Sequence, residues 1–514
     1  MEQNTAPSTT LTERLLEEEI VAPPVLAASC IADSERDEDD GREEQIELLV
    51  QHQTWETGEI QPNKCRDWFW ACLFLAQLAT VVAIAIAWGI PALNYAPEHD
   101  LAAQDEHVSE PIQIHFDGVV YTCLLAGVGA FLISLVAFAV MIRWSEVLVQ
   151  ISVVFSMLSS MALFIVCITT DEAGGAMTSF VLFTLAACYT ISVWSRIPFA
   201  ASNLKTATTA VRTNLGVTLV GFVLVIAAFC WTAIWLLSLI GIYMQTAQCD
   251  DDTGVCHSKL SGWVFMLFLL SYYWTQQVTK NVIHVTVAGV VGTWWIAPTE
   301  ASSICSRSIG DSFLRSVTTS FGSICFGSLL VSIIQLIHSL LRQARREGQD
   351  NCLLCILECL VSYLERIAEF FNKFAYVYVG IYGYTYLEAG KNVMTLFRAR
   401  GWTTIVNDNL LSNTLGLVSL VIGGLSGCLG IILDEINPSW LSLFEDQSHK
   451  IAFVIAFLIG IVVATLLMSI VASAVDTTLV LFAEKPRELV ANYPDLSTQM
   501  TEAWKEAYPE ECGF

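Results

Sequence analysis

Charged residues are scarce in this chain. Asp, Glu, Lys and Arg together make up 15% of its 514 residues, whereas a soluble chain carries about 25%. Hydrophobic residues make up 54%, and apolar runs of roughly 20 residues, each long enough to cross the apolar core of a bilayer, recur along the sequence. This composition excludes a soluble globular protein and predicts an all-α polytopic membrane protein.

The signatures of several other classes are also missing. There is no G-x-x-x-x-G-K-[ST] phosphate-binding loop, so we do not expect a protein that is driven by ATP through such a loop. No HExxH, GxSxG or paired acidic motif stands out in an accessible place, so we do not expect an enzyme, a metal site or a cofactor. The first residues are polar and acidic rather than basic and then apolar, so we expect no cleavable signal peptide. No glycosylation sequon with a permitted middle residue occurs, since Asn437 is followed by Pro438.

The acidic charge is concentrated at the N-terminus. Of the net charge of −25, residues 1–65 contribute −12, from 16 Asp and Glu against 4 Lys and Arg. Such a segment buries too little apolar surface to fold alone, so we predict a disordered cytoplasmic tail. Within it, the stretch from Glu44 to Leu49 fits a short acidic dileucine signal. The plasma membrane is the expected location, and this signal makes an endosomal or vacuolar membrane the alternative.

The apolar segments predict ten crossings within a transmembrane domain of residues 66–482. They span residues 66–90, 118–142, 147–169, 175–194, 214–243, 260–279, 281–297, 316–341, 411–433 and 451–482. Basic residues in the short loops place both termini in the cytoplasm. A break near Lys280–Asn281 is included because it puts Arg342, Arg345 and Arg346 on the cytoplasmic side.

Two cytoplasmic segments complete this prediction. Residues 342–410 are expected to form an insertion, in which the semi-apolar stretch from Phe374 to Phe397 makes an interfacial or partly re-entrant helix. Residues 483–514 are expected to form a cytoplasmic C-terminal tail.

Two groups of cysteines differ from the single cysteines in apolar helices. Cys249 and Cys256 flank a short acidic loop on the predicted outer side, where an oxidising compartment makes a disulfide plausible. Cys352, Cys355 and Cys359 include a CxxC pair, but no second pair or histidine lies close, so packing or S-acylation is favoured over zinc.

One apolar stretch is unusually polar. YWTQQVTKNVIHVTVAGVVGTWW, residues Tyr273 to Trp295, carries two glutamines, a lysine, an asparagine and a histidine. On a helix, Tyr273, Gln276 or Gln277, Lys280 and His284 fall on one face. Polar groups at membrane depth are costly unless they face a cavity or a partner, so this face should point inward.

The same stretch resembles the signature of the choline transporter-like proteins, the solute carrier 44 family, and most closely its fungal and protist branch. Further blocks fit in the same order, covering about residues 64–486: KCRDWFW (Lys64–Trp70), RIPFA (Arg196–Ala200), SFGSICFGSLL (Ser320–Leu330), FAYVYVGIYGYTYLEAGKN (Phe374–Asn392) and SAVDTTLVLFAEKP (Ser473–Pro486). The resemblance implies ten helices, cytoplasmic termini and transport of choline or a related amine such as ethanolamine, in some members by proton exchange. The first outer loop, Pro91–Asp117, is short compared with that of animal members.

An organic cation suggests roles for the polar and aromatic residues. A quaternary ammonium has no N–H and is held by aromatic faces, each contributing about 0.5–2 kcal/mol. The candidate substrate-binding residues are Tyr272, Tyr273, Trp274, Gln276, Gln277, Asn281, Trp294 and Trp295. Their aromatic members are also the residue types that anchor helices at membrane interfaces.

Three residues are candidates for proton or charge coupling. His284 titrates near physiological pH and could carry a proton, or it could be a hydrogen-bonded core histidine. Lys280 either pairs with an acid or reaches for water at a helix end. Asp476, the only acid in the last apolar segment, could neutralise a transported cation or could cap or pair locally.

These observations predict a secondary transporter of an organic cation in a lipid bilayer, with no nucleic-acid partner. The alternatives are an uncoupled facilitative pore for organic cations, or a membrane scaffold whose cytoplasmic insertion binds partners. The sequence gives no indication of the oligomeric state.

Overall fold

A computed structural model describes residues 65–94, 117–170, 173–249, 256–258, 262–346, 352–399, 410–437 and 447–508. The predicted acidic tail up to residue 64, with its dileucine stretch, lies outside them. Nearly every described element is helical, which confirms the all-α prediction. The helices are α1 Trp68–Ile84, α2 Ile90–Asn94, α3 Asp117–Arg143, α4 Ser145–Thr169, α5 Ala173–Val193, α6 Ile197–Thr213, α7 Gly216–Thr246, α8 Gly262–Ile296, α9 Arg307–Val317, α10 Phe321–Arg346, α11 Cys352–Tyr382, α12 Tyr386–Ala399, α13 Leu410–Ile436, α14 Ser448–Glu484, α15 Pro486–Asn492 and α16 Pro494–Ala507.

Eight stretches among the described residues are long and apolar enough to cross a membrane. They are Trp68–Ala92, Tyr121–Arg143, Ser145–Thr169, Gly174–Thr213, Gly216–Thr246, Phe321–Arg346, Leu410–Ile436 and Ser448–Glu484. Large apolar side chains such as Leu132, Ile191 and Phe229 are exposed on them. A surface this apolar is stable only against lipid, so the chain is a polytopic membrane protein.

The predicted break at Lys280–Asn281 is wrong. α8 is one continuous helix of 35 residues, and no Gly or Pro stands near position 280 to interrupt it. The polar side chains that suggested a break are instead satisfied by neighbouring helices. Gln277 donates to Gln335 at 2.9 Å, and Asn281 donates to Ser328 at 2.9 Å.

The predicted insertion also differs from the structure, because α11 is a 31-residue helix that runs antiparallel along α10. Arg345 pairs with Glu358 at 2.7 Å near one end, and Ser328 and Tyr376 are 3.3 Å apart toward the other. Since α10 is itself long enough to span a membrane, α11 returns beside it through the same depth.

The start of α1 defines what we call the basal end of the bundle. The amide of Arg66 donates to Thr319 at 2.9 Å, so α10 also begins at this end. α10 has 26 residues and is about 39 Å long, so its last residue, Arg346, lies at the opposite end. The prediction that Arg342, Arg345 and Arg346 lie on the same side as the start of α1 is therefore wrong. A count of loop charges does not register the Arg345–Glu358 ion pair.

The stretch from Phe374 to Phe397 divides into two parts. The first part, up to Tyr382, lies in the core, whereas α12 has an exposed face that includes Leu387 at 66%, so an interfacial location stays a prediction for α12. Phe374, Tyr376, Tyr378 and Tyr382 are each at most 1% exposed. The chain leaves the helix after Tyr382 through Gly383, whose φ of 66° favours glycine, and α12 begins at Tyr386. The break is therefore buried in protein, where irregular backbone within a membrane protein is tolerated.

The C-terminal residues pack on the basal end. α14 is followed directly by α15 and α16, and the Tyr493 ring stacks on Trp294 at 4.2 Å. Trp504 is 2% exposed and packs against Phe199 at 5.1 Å. Burial raises the pKa of Tyr493 to about 12, so this ring stays neutral. Residues 483–508 thus form part of the folded bundle, and their cytoplasmic location stays a prediction.

A small hairpin follows α7. Its strands, β1 Ala247–Cys249 and β2 Cys256–Ser258, pair antiparallel and place Cys249 directly opposite Cys256 in the backbone register. The side chains of this hairpin are outside the description, so the disulfide stays a prediction.

Glycines let α13 and α14 approach closely. A Cβ on Gly430 would lie 2.5 Å from the carbonyl oxygen of Ala452 and 2.5 Å from the Cβ of Ala456, whereas one on Gly424 would meet nothing within 4 Å. The Gly423–Gly430 run therefore includes at least one position where only glycine fits this packing.

We expect Gly430→Ala to destabilise the bundle by about 1–3 kcal/mol, because the new methyl group has no space between two helix backbones. The matched control is Gly424→Ala, which adds the same methyl group on the same helix without a clash. Thermal unfolding in detergent, followed by tryptophan fluorescence, measures both. Equal midpoints for the two variants would contradict the packing.

Candidate functional site

The polar face of α8 forms a ladder of hydrogen bonds with α10. Tyr273 and Ser339 are 2.8 Å apart, Gln277 donates to Gln335, and Asn281 donates to Ser328. The α8 residues are four positions apart and therefore lie on one face. We call these contacts the polar ladder. They satisfy groups that would otherwise be costly inside a membrane.

The other candidate residues on this half of α8 face different neighbours. Gln276 donates to Thr232 of α7 at 3.1 Å. Trp274 donates to the Cys325 carbonyl at 2.9 Å, and its ring lies 5.2 Å from that of Phe74. The Tyr272 ring packs 5.0 Å from that of Trp235. These side chains fix helix contacts and do not converge on one cavity.

His284 lies further along α8, toward the basal end, and is 8% exposed. Its Nδ1 is 2.8 Å from Ser473 Oγ on α14, and its Nε2 is 2.8 Å from the carbonyl oxygen of Lys373 on α11. An imidazole needs a proton on only one nitrogen to serve both contacts, since a carbonyl accepts and a serine hydroxyl can donate or accept. His284 therefore joins three helices.

The side chain of Lys373 reaches α14. Its Nζ donates to Asp476 Oδ1 on α14 at 2.9 Å. The same ammonium lies 4.5 Å from the ring centroid of Phe374 and 5.8 Å from that of Phe370. We call Lys373, Asp476, Phe370, Phe374 and His284 the charged site.

The charged site is partly accessible. The Asp476 side chain is 15% exposed, and that of Lys373 is 37% exposed. Charged side chains at membrane depth almost always face the bundle interior or a water-filled cavity rather than lipid, so we expect water on the open side of Lys373. A carboxylate and two aromatic faces around an ammonium group are the elements that recognise organic cations.

Tyr376 connects the charged site with the polar ladder. Its hydroxyl donates to the Ile324 carbonyl at 3.0 Å and lies 3.5 Å from Asn281 Nδ2. Its ring centroid is 6.4 Å from that of His284. Polar groups thus recur along α8 from Tyr273 to His284, and His284 in turn contacts α14, the helix that carries Asp476. We call this series of groups the polar path.

The structure brings together only part of the predicted site. Asn281, His284 and Asp476 lie in one region, bridged by Tyr376 and Lys373. Tyr273 and Trp294 are 21 positions apart on one helix, or about 32 Å, so the predicted aromatic residues cannot enclose a single substrate.

The remaining predicted residues lie elsewhere. Lys280 is exposed on α8. Trp294 and Trp295 are 1% and 0% exposed and hold the C-terminal helices, with Trp295 Nε1 donating to the Lys485 carbonyl at 3.0 Å. They are therefore not anchors at a lipid interface.

Sequence reasoning missed Lys373, Phe370, Phe374, Ser473 and Tyr376. All but Ser473 belong to residues 342–410, which are predicted to be a cytoplasmic insertion, and a lysine in the cytoplasm needs no partner. The available signal was the pattern NKFAYVY, in which one lysine interrupts an aromatic run.

A polytopic helical bundle with a buried polar path and an internal ion pair has the architecture of a membrane transporter. Residues 177–487 match the family described as plasma-membrane choline transporter. The chain belongs to this choline transporter-like family, as its sequence blocks predicted.

Fungal proteins named Protein PNS1 are similar to this chain. That of Debaryomyces hansenii is 27% identical over 476 residues, which cover 87% of this chain and 90% of the relative. That of Eremothecium gossypii is 30% identical over 343 residues, or 63% of this chain and 61% of the relative. That of Gibberella zeae is 31% identical over 339 residues, or 63% and 62%.

The polar ladder makes a stability prediction. We expect Asn281→Ala to lower the free energy of unfolding by about 1–3 kcal/mol, because it leaves buried partners with an unfilled hydrogen bond. Lys280→Ala, the adjacent but exposed position, should change it by less than about 0.5 kcal/mol. Thermal unfolding of the two purified variants tests this difference. A larger loss for the lysine variant would mean that Asn281 does not hold α8 to α10.

Proposed function

We propose that this chain is a secondary transporter of choline or a related organic amine such as ethanolamine. The charged site is the observation that carries the proposal, because an ammonium group is already held there between a carboxylate and aromatic rings. Membership of the choline transporter-like family supports the same substrate class.

The chemistry of the charged site suits both primary and quaternary amines. A primary ammonium such as that of ethanolamine can donate to Asp476 as Lys373 does. A quaternary ammonium such as that of choline has no N–H and gains mainly from the faces of Phe370 and Phe374 and from the negative charge of Asp476.

A ten-helix topology follows if α8 and α11 are counted with the eight apolar stretches. α1 begins and α14 ends at the basal end, so this count leaves both termini on one side. We propose that the basal end is cytoplasmic, because its connections and short helices carry many basic residues, among them Arg143, Arg196, Arg212 and Lys485. The plasma membrane is the proposed location, with an endosomal or vacuolar membrane as the alternative.

Proton exchange is the proposed driving mechanism. Asp476, Lys373 and His284 meet at the charged site, and a proton gained or lost by any one of them alters the charge that faces a bound cation. An uncoupled pore would use the same site, but its flux would not respond to a pH gradient.

The test is uptake of labelled choline and ethanolamine into proteoliposomes, with and without a pH gradient. We expect saturable uptake that the gradient increases. Asp476→Asn should reduce uptake more than about tenfold, because loss of a charged partner costs about 1.5–3 kcal/mol and each 1.4 kcal/mol is a factor of ten.

The matched control is Asp495→Asn, which removes an exposed acid from α16 and should leave uptake unchanged. If the folded native protein moves neither amine, the proposal fails. Uptake that is saturable but insensitive to the gradient would identify a facilitative pore.

A further inference from the structure

We propose that Lys373 is a tethered competitor of the transported cation and that it is the group that exchanges the proton. This inference rests on the proposed function and deepens it by naming how one site couples the two ions. Its starting observation is that the ammonium of Lys373 occupies the place where a carboxylate and aromatic rings would receive a substrate ammonium.

The geometry leaves room for one cation at a time. Lys373 Nζ is 2.9 Å from Asp476 Oδ1 and 4.5 Å from the Phe374 ring. A substrate ammonium that takes either contact must displace the lysine. The 37% exposure of the Lys373 side chain gives it an open side toward which it can withdraw, while Asp476 is more enclosed.

The groups around Lys373 define the charge balance. Asp476 faces it from α14, and His284 on α8 contacts its carbonyl oxygen. Tyr376 lies one turn further along α11, and Phe370 one turn back. Glu369, four residues back on α11, and Lys280, four residues before His284 on α8, are exposed. Among the groups that contact the Lys373 side chain, Asp476 is the single anion, so its carboxylate cannot pair with two cations at once.

Because one carboxylate cannot compensate two cations, Lys373 is expected to lose a proton when the substrate binds. When a substrate cation takes Asp476, the Lys373 ammonium has lost its counter-ion and has gained a positive neighbour, and both changes favour its neutral form. An N–H bond of the ammonium then breaks, its electron pair stays on Nζ as the free amine, and the proton passes to water on the side from which the substrate came.

The cycle closes after the substrate leaves on the other side. Lys373 takes up a proton from that side and pairs with Asp476 again. One substrate cation has then moved in one direction and one proton in the other, with no net transfer of charge. Native transport is therefore expected to respond to a pH gradient and not to membrane potential.

The decisive variant is Lys373→Met, which removes the ammonium and keeps an apolar chain of similar length. With Asp476 alone at the site, substrate should bind without proton release. We expect uptake that no longer responds to a pH gradient but increases when a potassium diffusion potential makes the lumen negative. Lys391→Met, which removes an exposed lysine of α12, should keep the native behaviour.

Lys373→Arg is the second variant, since it keeps the ion pair but a guanidinium does not release its proton. We expect it to be monodisperse in size-exclusion chromatography and to lose gradient-driven uptake, so it tests the inference even if Lys373→Met does not fold. Coupled, potential-insensitive uptake by either variant would overturn the inference and leave the proposed transport intact. Failure of the native protein to take up any amine would instead remove the proposed function.

Discussion

The hydrogen-bonding needs of the polar residues on α8 are the constraint on which the rest of the bundle depends. A helix that carries amides, a tyrosine hydroxyl and an imidazole is expensive inside a membrane unless each group has a partner. α10 supplies partners for Gln277 and Asn281, and α11 and α14 supply partners for His284. Because His284 needs the Lys373 carbonyl as a partner, α11 lies within the bundle rather than outside it.

The need of buried polar groups for partners also distinguishes the contacts that hold the helices together from the proposed binding site. The polar ladder, the glycine contacts of α13 with α14 and the tryptophans under the C-terminal helices all have their groups paired or buried. The charged site has an accessible side. A partly buried ion pair is weak evidence for a gain in stability, because desolvation offsets much of the attraction. Its placement next to aromatic rings on the polar path is the basis of the cation site that we propose.

The sequence predicted the features that depend on composition and helical spacing. The all-α membrane class follows from apolar runs, and the inward direction of Tyr273, Gln277 and His284 follows from residues spaced along one face. The family resemblance came from several short blocks in order.

The predictions that were wrong or incomplete concern features that depend on contacts between segments distant in sequence. The break at Lys280–Asn281 came from counting basic loops, and that count cannot register that Arg345 pairs with Glu358. Lys373 was missed because its partner Asp476 lies 103 positions away, and no local pattern marks such a pair. Trp294 and Trp295 resembled interface anchors because the sequence does not show that α15 and α16 cover them.

The proposed transport depends on the cation binding at Asp476 in place of Lys373. A structure determined with saturating choline or ethanolamine would show this directly. We expect density for the amine between Asp476 and the Phe374 ring, with the Lys373 ammonium moved away from the carboxylate. An amine bound elsewhere, with the Lys373–Asp476 pair intact, would contradict it.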